Sequence, residues 1–322
     1  MDESFTFAQI SDPHLTNLEG VRCRDLLNKR ILGYLSWRLS RRHEHRSEIL
    51  DALIADLQHT QPRHVVVTGD LTHIGLPGEF HQAQKWLQTL GPPEHVSVIP
   101  GNHDAYVATP WEQTYSQWAP YMAGDAAAPP TRHDPQSLFP SLRLRGPVAF
   151  IGLSTARPSL PFLAVGSLGE DQLQRLAQIL AETGRQGRCR VVLIHHPPLP
   201  GAVKPRKHLT DSRQLQAVLA QHGAELVLHG HTHYTTWMEM SCGDGTIPVI
   251  GIPSASAMGH KPGRRAQYYL YRITPRPWGW DIAVSIRGAA PEGQFTQVSE
   301  TSLKLTRPHA FAGTPQQSSS AG

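Results

Sequence analysis

The chain has 322 residues, of which 39% are apolar and 17% charged, a globular composition that excludes a disordered or coiled-coil protein. Its formal charge of +4 suits anionic ligands without marking a nucleic-acid-binding protein. Three widely spaced cysteines, Cys23, Cys189 and Cys242, form neither a disulfide framework nor a thiolate zinc motif, which fits a reducing compartment.

The opening "MDESFTFAQI" runs from an acidic start straight into a strand, without a basic and apolar leader, so no signal peptide is expected. No run approaches the roughly 18 apolar residues of a membrane span. The expected location is cytoplasmic, with peripheral contact to the inner face of a membrane left open.

Short β-branched runs predict strands at 5–10, 64–69, 95–100, 148–153, 190–195 and 225–230. Between them, apolar residues spaced by three and four predict helices at 47–58, 79–90, 169–182 and 211–222. This alternation is the signature of β-α-β units, hence an α/β fold. After residue 245, "TIPVIGIPS", "AQYYLYRIT" and "WDIAVSIRG" read as consecutive strands of a second sheet or a mixed-sheet edge. One domain over 1–305 is expected, with an aromatic-rich excursion at 105–145 and a disordered tail at 306–322.

The polar clusters all fall at the C-terminal ends of predicted strands: "SDPH" (11–14), "GDLTH" (69–73), "GNHD" (101–104), "HHPP" (195–198) and "HGHTH" (229–233). Loops at that edge of an open α/β sheet converge, so residues distant in sequence can share one site. A single Asp-x-His is usually surface decoration, but five such clusters in equivalent positions are not. Mixed carboxylate, amide and imidazole donors suit borderline divalent ions such as Mn²⁺, Fe²⁺ or Zn²⁺.

The ordered set "SDPH … GDLT … PGNHD … HHPP … GHTH" resembles the calcineurin-like metallophosphoesterases, from about residue 5 to about residue 257. The pattern is closest to the bacterial branch of class III cyclic-nucleotide phosphodiesterases and glycerophosphodiesterases. The resemblance implies an α/β/β/α sandwich of two sheets with a two-metal site at the strand ends. It implies that Asp12, His14 and His233 hold one metal, that Asn102, His195 and His231 hold the other, and that Asp70 bridges them. It further implies attack by a metal-bridging hydroxide on a phosphodiester, with His103 protonating the leaving group and Asp104 orienting His103. Asn102, His103 and His196 are the expected substrate contacts, although His196, next to His195 in extended chain, can equally point away and pack behind the ligands. His73 reads either as a support behind the ligands or as a lining residue, His229 as a partner within its strand, and His43, His45, His59, His81 and His222 as surface histidines.

The resemblance implies a phosphoester substrate, and specificity is expected to lie in the insertions. Residues 21–46 carry eight basic residues against two acids, with Leu27, Ile31, Leu35 and Leu39 recurring every four. This segment reads either as a basic amphipathic helix for an anionic membrane surface or as a helical lid with a solvated basic face. Arg30, Arg38 and Arg42 fall among its apolar residues. The aromatics of 106–122 can stack on a substrate or simply pack, and the basic stretch Lys204, Arg206, Lys207 and His208 can meet a phosphate. The leading expectation is hydrolysis of a small or lipid-linked phosphodiester. A membrane-surface phospho- or pyrophosphohydrolase of a lipid precursor, of the nucleotide-linked lipid A type, is the alternative. A nuclease and a non-catalytic scaffold follow. Neither a G-x-S-x-G elbow nor a G-x-x-x-x-G-K-[ST] loop is present.

Overall fold

The computed structural model describes residues 4–15, 17–126, 135–243, 245–260 and 263–306. Two six-stranded mixed sheets face each other. The first has the order β12 (Phe295–Thr306), β11 (Gly279–Ala289), β10 (Gln267–Arg276), β1 (Phe5–Ile10), β2 (His64–Val67), β3 (Val96–Val98). The second runs β4 (Ser141–Arg145), β5 (Val148–Gly152), β6 (Cys189–Ile194), β7 (Leu226–His229), β9 (Gly245–Gly251), β8 (Thr236–Cys242). The inner strands β1-β2-β3 and β5-β6-β7-β9 pair in parallel, which places their C-terminal ends on common edges. The later strands add antiparallel edges to both sheets, so the sequence reading of a second sheet or a mixed edge resolves into both.

Alternation along β1 turns Phe5 and Phe7 inward, and Phe7 meets Phe150 of the opposite sheet edge-on with ring centroids 5.0 Å apart. The outer face of the first sheet is covered by α3 (Ser47–Thr60) and α4 (Pro77–Leu90), whose buried residues Leu50, Leu53, Phe80 and Leu87 repeat at helical spacing. On the second sheet, α5 (Glu170–Arg185) and α6 (Ser212–His222) bury Leu176, Leu180, Leu215 and Leu219. Strands β4, β8 and β12 were not expected. Each of these edge strands buries a single residue, which leaves little apolar signal to read. The aromatics of 111–122 pack: Trp118 stacks on Phe80 at 4.3 Å and its indole N–H donates to the Phe80 carbonyl. The expected tail lies, beyond Thr306, outside the described residues, as does 127–134 of the excursion.

Residues 21–46 form a lid rather than a free helix. α1 (Arg30–Ser36) continues through a π-helical turn, Trp37–Arg41, into α2 (Arg42–Glu44). Arg30 is buried and donates to the carbonyls of Ile74 (3.0 Å) and Gly75 (2.6 Å) and to Thr109 Oγ1 (3.0 Å). Trp37 packs into a small cluster with Leu18, Ile74 and Leu76. The C-terminal end is tied by Met258 N to Glu44 O (2.8 Å) and Arg46 N to Ser256 O (3.0 Å).

Behind the second sheet Arg190 and Glu225 form a buried bidentate pair, Nε to Oε2 at 3.0 Å and Nη2 to Oε1 at 2.9 Å, and Arg190 Nη1 also donates to His222 O. Glu225→Ala leaves a buried guanidinium without its anion and is expected to cost about 3–5 kcal/mol in urea unfolding. Arg190→Met combined with Glu225→Leu should recover most of that loss. A single variant as stable as the wild type would show that the pair is not desolvated as described.

Candidate metal centre

The loops after the parallel strands are laced together before any side chain is considered. Asp12 N donates to Gly69 O at 3.0 Å and His14 N to Asp70 O at 3.1 Å, joining the loop after β1 to the loop after β2. Among the described residues seven non-glycine positions have positive φ, and five of them are Asp12, His14, Asp70, His231 and His233. Such a conformation costs about 1–3 kcal/mol per residue and persists only where the surroundings impose it. The imposed turn is what aims these side chains at a common point. Glycine makes the approach feasible: a Cβ on Gly101 would collide with the Asp70 carboxylate, and one on Gly230 with Ser11 Oγ and Asp12 Oδ2.

Two overlapping donor groups result. Asp12, His14, Asp70 and His233 can each place one ligand atom within 4.8 Å of the others, and so can Asp70, His195 and His231. Asp70 belongs to both. In the first group His233 Nε2 lies 3.2 Å from Asp12 Oδ1 and 3.4 Å from His14 Nε2. In the second, His195 Nε2 lies 3.3 Å from Asp70 Oδ2 and 3.2 Å from Asn102 Oδ1, which adds an amide oxygen.

The imidazoles are oriented from behind. His14 Nδ1 lies 3.0 Å from the Thr72 carbonyl, His195 Nδ1 2.8 Å from that of Thr68, and His231 Nε2 3.1 Å from that of Lys207. Each ring donates its N–H there, so the other nitrogen is the one turned to the donor cluster, the arrangement metal-binding histidines require. Asp12 is held from behind as well, accepting from His231 N and from Ser11 Oγ.

The electrostatics favour a cation. Burial would raise the Asp12 carboxyl, yet the adjacent His233 holds it below its ordinary value. Burial likewise opposes the charged form of His195, but Asp70 beside it and Asp12 further off hold it at about 9. Two buried carboxylates need positive partners. The mixed oxygen and imidazole donor set fits a pair of borderline divalent ions.

Three expectations about the surroundings change. Asp104 does not touch the His103 ring. Its carboxylate accepts from Gly101 N (2.8 Å), Asp70 N (3.0 Å), Thr72 N (2.9 Å) and Thr72 Oγ1 (3.0 Å), so it clamps the backbone that carries Asp70. The His103 ring is oriented instead by the His73 carbonyl, 2.6 Å from Nδ1. His196 is fully buried with both nitrogens engaged, Nδ1 by Thr155 Oγ1 (2.7 Å) and Nε2 by the Ala164 carbonyl (3.1 Å), so it supports the neighbouring rings and does not reach a substrate. His45 is not a surface histidine: its ring lies 4.6 Å from that of His14, its Nδ1 lies 2.8 Å from Ser256 Oγ, and with His14 and His233 it forms a further possible ligand group. His229 meets the expectation, bonding Gly230 O and Thr236 Oγ1 around its own strand end.

Arg41 was also not anticipated. Its Nη1 lies 2.9 Å from His103 Nε2, delivered by the π-helical turn of the lid. Lys207, from the segment after "HHPP", sits close enough to feel Arg41, Asp70 and Asp12. In the sequence Arg41 was one basic residue within a basic run, with nothing to separate it from its solvated neighbours, whereas the stretch that holds Lys207 was read as able to meet a phosphate or to lie in a solvent-exposed loop.

Asp104→Ala orphans three buried N–H groups and is expected to cost about 2–4 kcal/mol in stability. It should also lower metal content, read by elemental analysis of the purified protein. Full metal content with a defect confined to the His103 step would restore the orienting role.

With this geometry, comparison with known proteins is direct. Residues 5–235 match the calcineurin-like phosphoesterase family. A probable cyclic nucleotide phosphodiesterase of Synechococcus sp. is 26% identical over 228 residues, 70% of this chain and 77% of that protein. Another from Rhodococcus erythropolis is 26% identical over 214 residues, 65% of this chain and 60% of that one. A dimetal phosphatase from Danio rerio superposes with a TM-score of 0.61 at 15% identity, covering 94% of this chain and 99% of its own, which shows a shared fold. The chain belongs to the calcineurin-like phosphoesterase family and is a metal-dependent phosphoester hydrolase.

Proposed function

We propose that the chain is a dinuclear-metal phosphodiesterase acting on a small or lipid-linked phosphodiester. Asp12, His14 and His233 would hold one divalent ion, Asn102, His195 and His231 the other, with Asp70 shared. The observation that carries this reading is the position of Asp70, the one residue common to both donor groups at the meeting point of the two sheets. The names of the two bacterial relatives support a diester. When bound, two divalent ions supply neutralising charge and an acidified water, which hydrolysis of an anionic ester needs.

The residues of the chain do the rest. Arg41 and Lys207 bring two cations to the donor cluster from separate insertions and would bind the non-bridging phosphoryl oxygens, Arg41 with the planar geometry suited to them. His103 commits Nδ1–H to the His73 carbonyl, and burial with Arg41 beside it keeps the ring neutral in the free protein, so Nε2 must first take up a proton, once Arg41 has left it, before it can protonate the leaving oxygen. In the free protein Arg41 contacts that nitrogen, and transfer of Arg41 to a phosphoryl oxygen would release it. A membrane-surface hydrolase of a lipid precursor is the second reading, favoured by the apolar residues exposed on the lid.

Hydrolysis of bis(p-nitrophenyl) phosphate should vanish on chelation and return with Mn²⁺. A protein that neither binds nor needs metal would overturn the proposal. His103→Ala should keep its metals yet lose about 10²–10⁴-fold in kcat with alkyl leaving groups, and much less with p-nitrophenol. Arg41→Gln should raise KM. Equal losses for good and poor leaving groups would remove His103 as proton donor.

A further inference from the structure

The lid is inside out. A helix packed on a domain normally turns its apolar stripe to the core and its charges to water. Here Arg30 and Arg41 face inward with Trp37, while the periodic stripe Leu27, Ile31, Leu35 and Leu39 faces solvent, with Leu27 84% and Leu39 79% exposed. Lys29 Nζ holds the 159–163 loop beside this stripe through Ser159 O (3.0 Å), Ser159 Oγ (2.9 Å) and Leu163 O (3.4 Å). That loop adds exposed Leu160 and Phe162. Phe162 has φ of 65°, a strained placement for an aromatic residue that points outward. Six of the nine exposed large apolar side chains among the described residues therefore belong to the lid stripe and to the loop that Lys29 ties to it.

The same face is basic. Arg22, Arg24, Arg38 and Arg42 are exposed along it. The two acids of the segment are already occupied, Asp25 beside Arg22 at 3.6 Å and Glu44 with Gly259 N and His260. Among the described residues, Arg24 and Arg38 have no hydrogen-bond or ion-pair partner. Protruding leucines flanked by unpaired guanidinium groups match the boundary of an anionic bilayer, where acyl chains take the apolar side chains and phosphate groups take the cations.

We propose that this face docks the protein on an anionic phospholipid surface. Because Arg41 and His45 project from the opposite side of the same lid into the donor cluster, docking holds the site at headgroup level. The docking follows from the lid alone. That the hydrolysed ester is then a lipid-borne phosphodiester rests on the proposed function above.

The test is flotation of the full chain with vesicles of phosphatidylcholine alone or mixed with phosphatidylglycerol, at low and high salt. The wild type should float with the anionic vesicles and be released by salt. Arg38→Gln with Arg42→Gln should weaken binding by roughly tenfold or more, and Leu27→Ser with Leu39→Ser should abolish it. The leucine variant should hydrolyse soluble bis(p-nitrophenyl) phosphate at the wild-type rate, which separates a failure of docking from a failure of the phosphodiesterase reading. Three results would overturn the proposal: no preference for anionic vesicles, variants that bind like the wild type, or a dimer in light scattering that the leucine substitutions dissolve. The last would assign the face to a second copy of the chain.

Discussion

Two buried carboxylates, Asp12 and Asp70, sit where the parallel halves of two sheets meet, and the rest of the structure is arranged around their charge. A buried anion is tolerable only with positive or hydrogen-bonding partners. Each strand end contributes one: imidazoles from the loops after β1, β6 and β7, an amide from the loop after β3, and backbone N–H groups such as that of His103 on Asp70 Oδ1 at 2.7 Å. Strained backbone at five of these positions, and glycines where a Cβ would intrude, are the conformational cost of that convergence. Asp104 is the counterpart at one remove, a buried acid whose task is to hold the Asp70 loop rather than to meet substrate.

The lid imposes a second order on the site. A π-helical turn at Trp37–Arg41 shifts the helical register by about one residue, so that Trp37 packs inward and Arg41 still reaches His103. The segment that closes the site thus also sets its charge, and the leucines that cannot face inward are left at the surface. Under the proposed docking, specificity and location become properties of one element, because a surface that binds the outer stripe acts on a helix whose inner side carries Arg41 and His45.

Much of this was legible in the sequence. The five donor motifs could be read because each combines a β-branched run, which marks a strand, with polar residues at its C-terminal end, and α/β topology forces such ends together. The alternation pointed to an α/β fold, and the α/β/β/α sandwich came only through the family resemblance that the motifs carry. What escaped reading was long-range. His45 looked like one histidine in a basic run, and only the return of residues 254–258 to the lid brings it beside His14. The family resemblance gave Asp104 the task of orienting His103, whereas its carboxylate turns to the backbone of the Asp70 loop. The leucine repeat was visible, but which way it faced depended on where Arg30 found carbonyl partners, and no periodicity carries that information. Strands β4, β8 and β12 were lost for want of a buried face.

The central claim is that Asp70 joins two metal ions into one centre. Electron paramagnetic resonance of the Mn²⁺-loaded protein tests it most directly. The account predicts the multiline spectrum of an exchange-coupled pair at two ions per chain, replaced in Asp70→Asn by uncoupled or lost ions. A wild-type spectrum of isolated Mn²⁺ at one ion per chain, unaltered by that substitution, would contradict it.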